Sequence, residues 1–91
     1  MLYAKLFVSD EPWSFYIMRY FEDRDGGEQL VMRVERGNDE DAFSEWRLPE
    51  LFCAKSYGFS EMELGHIKNF LNNNQMMIWR LWEREAKQKI A

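Results

Sequence analysis

Apolar and polar residues alternate through the first half of the chain, and in the last third their spacing lengthens to three and four. In "LYAKLFV" Leu2, Ala4, Leu6 and Val8 stand on one side and Tyr3, Lys5 and Phe7 on the other, which predicts a strand. "SDEPW" breaks it, because Pro12 fixes its own backbone and restricts Glu11 before it. "SFYIMRYFED" predicts a second strand, rich in aromatic and β-branched residues. Here Phe15, Ile17 and Phe21 share a face with Arg19, opposite Tyr16, Met18 and Tyr20, so both faces are apolar.

"RDGG" is the clearest hairpin signal, with Asp25-Gly26 and Gly27 able to supply the positive φ angles of a tight turn. The return strand "EQLVMRVERG" sets Leu30, Met32 and Val34 against Val31, Arg33 and Glu35. After the polar turn "GNDED", "AFSEWRL" reads as a fourth strand, with Ala42, Trp46 and Leu48 against Phe43, Glu45 and Arg47, and Pro49 stops it. "ELFCAKSYG" fits either a short helical turn or an irregular crossing.

"SEME" is a capping box: Ser60 accepts from the amide of Glu63 and Glu63 reaches back, while Phe59 stands where a hydrophobic staple to Leu64 begins. Beyond it Leu64, Ile67, Leu71, Ile78 and Trp82 form one helical stripe flanked by Phe70, Met77 and Leu81. Asn74 falls inside that stripe, and asparagine ends helices more readily than it extends them. Two helices, about 60–72 and 75–88, are therefore expected, with a bend at "NNN". Glu83-Lys87 and Glu85-Lys89 mark a solvated helix end. The pattern predicts a single α+β domain spanning 1–91: a meander of three or four antiparallel strands over about 1–48, with one or two C-terminal helices across one face over about 59–88.

Composition adds one tension. Seven Phe, four Trp and four Tyr in 91 residues are more aromatic surface than a small interior easily hides. Met76 and Trp79 fall outside the helical stripe, three residues apart. With Trp13 or Tyr57 nearby they are the expected contact patch for a partner or a dimer mate. The competing expectation is that neighbouring segments cover them as core.

The chemistry-bearing residues are sparse. His66 is the lone histidine and has no companion ligand or nucleophile in "HIKN", so it reads as a helix surface position. Cys53, the lone cysteine, allows no intrachain disulfide and reads as a small buried core residue. No catalytic residue, metal or cofactor is expected. The net charge of −4 weighs against a nucleic-acid surface, and its distribution is uneven, −6 over residues 1–45 and +2 over 46–91. Arg19, Arg33 and Arg36 near Tyr16 and Tyr20 nevertheless leave open an RNA-cleaving, toxin-like face. The acidic turns leave open a nucleic-acid mimic. The N-terminal apolar stretch is too short for a membrane span and lacks a signal-peptide pattern, which makes the cytoplasm the expected compartment.

"VERG" (Val34 to Gly37), "WRLPEL" (Trp46 to Leu51), "GFSEMELGHI" (Gly58 to Ile67) and Trp82 resemble the DUF4160 domain family of small bacterial proteins. That family's Pro-Pro-His-x-His segment before "VERG" is replaced here by "GGEQLVMRVERG", so any role of those histidines is missing. The resemblance implies a fold and a partnership, of the kind found in toxin–antitoxin pairs, and no catalytic residue. Together these observations favour a small non-enzymatic bacterial or phage protein that acts by binding another protein or itself.

Overall fold

The computed structural model describes residues 1–90, with side chains described as far as Glu85. The expected Glu83-Lys87 and Glu85-Lys89 pairs lie outside the described side chains. Five strands, β1 (Leu2–Val8), β2 (Glu11–Glu22), β3 (Glu28–Arg36), β4 (Phe43–Leu48) and β5 (Phe52–Ser56), precede one helix, α1 (Glu61–Ile90). The strands form one antiparallel meander in chain order. The α+β architecture is the expected one, with a fifth strand: "ELFCAKSYG" contains β5 rather than a helical turn or crossing.

Helix α1 covers one face of the sheet. Phe15, Ile17, Leu30, Met32, Val34, Trp46 and Leu48 meet Ile67, Leu71 and Ile78 in one buried cluster. Burying side chains of this size contributes on the order of 1.5–3 kcal/mol each, before the entropy of ordering the chain is set against it. Ser44 shares this face and is fully buried, and its Oγ accepts from Trp46 Nε1 at 2.9 Å. A buried hydroxyl is tolerated here because it has a partner.

Three bulges reassign side chains between faces, and the one between Glu45 and Trp46 puts Phe52 and Lys55 of β5 on the same side. Between Ile17 and Arg19 the β2–β3 register slips, so that Tyr20 opposes Leu30 and Arg19 opposes Val31. One unpaired residue inverts the alternation beyond it. Tyr20 therefore joins Phe15 and Ile17 towards the helix, stacked on Trp82 at 6.1 Å, while Arg19 and Phe21 turn to the far side with Tyr16. The sequence pattern placed Tyr20 and Phe21 the other way round. A slip between Leu2 and Ala4 likewise brings Tyr3 to the helix side, where its ring meets Phe70.

The turns follow their chemistry. Asp23 Oδ1 accepts from the amides of Asp25 and Gly27, and Gly26 alone of the two glycines takes positive φ (+80°). At the helix entry Gly58 has φ +82°, and a Cβ there would lie 3.1 Å from that of Ala42. The capping box forms as expected: Ser60 N donates to Glu63 Oε1 (2.8 Å) and Glu63 N donates to Ser60 Oγ (3.1 Å).

The expected bend at "NNN" is absent, and α1 runs unbroken through Asn72, Asn73 and Asn74. Asn72 and Asn73 face solvent. Asn74 Nδ2 donates to Phe70 O (2.8 Å) and its Oδ1 accepts from Tyr3 Oη (3.0 Å), so the polar side chain in the stripe is satisfied and the helix need not stop. Met77, expected on the flank of the stripe, is exposed. Among the described residues no helix is long and apolar enough to cross a membrane.

Candidate protein-binding face

Among the described residues no element lies over the face of the sheet opposite α1. Its composition follows from the strand register, because residues paired across strands share a face. One row reads Arg19, Val31, Arg47, Phe52 from β2 to β5. The next reads Leu2, Tyr16, Arg33, Glu45, Lys55 from β1 to β5, and a third reads Lys5, Ser14, Glu35, Phe43. Tyr57 packs on Phe43 at 5.2 Å just past the end of β5, and Phe7 pairs with Pro12 at the opposite edge. Phe7 is 72% exposed, Phe52 57% and Tyr57 55%, with Met18 and Leu2 about half exposed. A single exposed apolar residue is ordinary; several sharing one flat face mark a contact surface.

The charges on this face run against those of the chain. Five cations (Lys5, Arg19, Arg33, Arg47, Lys55) stand against two carboxylates (Glu35, Glu45), on a protein whose net charge is −4. Arg33 is fully engaged: Nε donates to Glu35 (2.7 Å), Nη2 to Glu40 O (3.1 Å), and the guanidinium lies 3.8 Å from the Phe43 ring centroid. Arg19 and Arg47 are different. Each guanidinium carbon lies 5.8 Å from the centroid of the Phe21 ring, and among the described residues neither has an ion pair or a side-chain hydrogen bond. Arg47 Nε is buried without a partner. Beneath them Val31 is only 1% exposed although no backbone element covers it, and a hollow of about 230 Å³ is lined by Val31, Met18, Arg19, Arg33 and Glu45.

The residues expected to form a contact patch are spread over three places. Met76 is exposed on the solvent side of α1, whereas Trp79 is half-buried and packed against the core. Trp13 is 2% exposed, with its ring edge-on to Phe59 at 5.2 Å and its Nε1 donating to Glu11. Only Tyr57 stands on the open sheet face. Trp13, Trp79, Met76 and Tyr57 therefore do not make one surface: the helix N-terminus closes over the first, and sheet packing takes most of the second.

The expected arginine trio also divides. Arg19 and Arg33 share the open face, but Arg36 opposes Trp13 on the helix side. It bridges Glu11 (2.9 Å) and Glu63 (3.0 Å), donates to Gly58 O (2.6 Å), and lies over the Trp13 and Phe59 rings. This clamp ties the β2–β3 end of the sheet to the helix cap. Glu11 is held below the usual carboxylate range by the Trp13 hydrogen bond and then by Arg36, and Glu63 by the Ser60 amide and then by Arg36. Tyr20, desolvated and beside Glu22 and Glu28, is pushed up to about 12.

Cys53 is half-buried rather than buried. Its Sγ donates to Lys55 O (3.3 Å), and burial raises its pKa, which suits an unreactive thiol. His66 is exposed on α1 beside Leu6 and Val8. Among the described residues no three His, Cys, Asp or Glu side chains converge as metal ligands.

Arg47, Phe21, Phe43 and Phe52 were not singled out from the sequence. Alternation already set Phe43 with Arg47 on one strand and Arg33 with Glu35 on another, but not the two pairs on one face; the bulge at Met18 and the unrecognised β5 concealed Phe21 and Phe52. Compared with family models, curated proteins and solved structures, the chain matches none.

Proposed function

We propose that this is a non-enzymatic binding module that holds another polypeptide against the open face of its sheet. The observation that carries this is the group of exposed apolar residues there, Phe52, Tyr57, Met18, Leu2 and Phe7, on a face that the chain's own helix leaves uncovered. The resemblance to DUF4160 proteins supports a two-component arrangement of the toxin–antitoxin kind. The alternative, an RNA-directed face, draws support from Arg19 and Arg33 lying among aromatic rings. It is weakened because Arg36 is committed to Glu11 and Glu63, and because Glu35 and Glu45 interrupt the cations.

Site-specific photo-crosslinking distinguishes the two. A photoreactive residue at Phe52 is expected to capture one discrete protein in the source cells, or a second copy of this chain, whereas one at Met62 on the helix captures neither. RNA crosslinked at Phe52, or equal capture from both positions, overturns the proposal.

A further inference from the structure

Resting on the protein-binding reading, the geometry points to Arg19 and Arg47 as a paired anion receptor on the open face, and to a partner that presents an acidic peptide segment flanked by apolar side chains. Two guanidiniums each lie 5.8 Å from the centre of the single Phe21 ring, and among the described residues neither forms an ion pair, although Glu45 lines the hollow beside Arg19; Arg47 Nε is a buried donor without an acceptor among them. Like charges brought together repel, and an orphaned buried donor is costly. A carboxylate set against the outer nitrogens of the pair answers the repulsion, because guanidinium donors match carboxylate oxygens in plane and spacing, while the buried Nε holds the Arg47 guanidinium close against the sheet. Phe52, cross-strand from Arg47, and Met18, lining the hollow beside Arg19, supply apolar contacts on either side.

A polypeptide fits better than a nucleic acid. A phosphate chain needs a continuous run of cations. Here the next row places Glu45 between Arg33 and Lys55, the row beyond contains Glu35, and Arg33 is already paired to Glu35. Acidic turns close both ends of the sheet, Glu22, Asp23, Asp25 and Glu28 at one and Asp39, Glu40 and Asp41 at the other. These would repel a strand leaving the face in either direction. A second copy of this face would bring the same excess of cations against itself.

The test is selection of a displayed random-peptide library against the full chain, followed by fluorescence anisotropy of the enriched peptides. Enriched sequences are expected to contain Asp or Glu next to aromatic or aliphatic residues. R19Q/R47Q, checked for native circular dichroism, is expected to bind them about tenfold or more weakly and with a flatter salt dependence. Binding that persists in R19Q/R47Q but is lost in F52S/M18S overturns the anion receptor while leaving the protein-binding reading intact. Peptides without acidic residues do the same. Failure to enrich any peptide overturns the receptor, and tight binding of single-stranded oligouridylate that depends on Arg19 and Arg47 overturns both.

Discussion

Tyr3 and Asn74, 71 residues apart, are joined by a 3.0 Å hydrogen bond between the first strand and the middle of the helix. Asn74 is a weak helix former inside an apolar stripe, and the phenol of Tyr3 makes it acceptable there. Tyr3→Phe is expected to cost about 1 kcal/mol of stability, the net worth of one such bond. In a double-mutant cycle with Asn74→Leu, the second substitution is expected to remove that cost, because no acceptor is then left unpaired. Urea denaturation of the four proteins measures it; additive effects would mean the bond contributes nothing.

Arg36 holds the sheet to the helix cap. Arg36→Met is expected to lower the melting temperature by about 5–10 °C, and Arg36→Lys to recover little of it, since a lysine ammonium does not reach Glu11, Glu63 and Gly58 O in one planar fork. Thermal unfolding followed by circular dichroism decides this. Binding of peptides to the opposite face should be unchanged in whatever fraction remains folded.

The same clamp gives an acid dependence. Glu11 and Glu63 have folded values below the ordinary 4.5, so the unfolded chain takes up their protons more readily. Their stabilisation is complete above about that pH and is lost as pH falls through the lowered folded values. The melting temperature is expected to fall steeply below pH 4.5, and less steeply in Arg36→Met.

Alkaline pH acts through Tyr20. A folded value near 12 against an ordinary 10 means that the folded chain keeps its phenolic proton longer. That contribution is whole below pH 10 and disappears as pH rises towards 12. Burial raises the Tyr3 phenol as well, so tyrosinate absorbance should show late-titrating phenols of which the last is absent in Tyr20→Phe, and the variant's stability should decline less over that range.

Deleting Met18 removes the extra residue of the β2 bulge. Ile17 and Arg19 would then alternate regularly, with Arg19 still opposite Val31 and Tyr20 still towards Trp82, so the side chains beyond the bulge keep their faces. A change of no more than about 1–2 kcal/mol is expected, from the lost bulge twist alone, and a larger loss would mean that the bulge itself holds the sheet. Substituting Met18→Ala, which keeps the residue count, is expected to leave stability nearly unchanged by comparison in denaturant melts.

Local chemistry was legible before the fold was known. The hairpin at "RDGG", the alternation of β3 and β4, the capping box from Ser60 to Glu63 and the stripe of Ile67, Leu71 and Ile78 each depend on neighbours within a few residues. The three bulges do not, since only the partner strand reveals that an extra residue has been accommodated. Nor does the accommodation of Asn74 within α1, where its Oδ1 is met by Tyr3 from the far end of the chain.

Sequence alone determined that this is a small α+β meander with more aromatic surface than its interior holds, because periodicity and composition are properties of the chain itself. Only the tertiary structure decided where that surplus lies. Trp13 was drawn under the helix cap and Arg36 into ion pairs, while Arg19, Arg47, Phe21 and Phe52 were brought together on the open face. Register sets which side chains share a face, and register is a relation between strands that no single stretch of sequence contains.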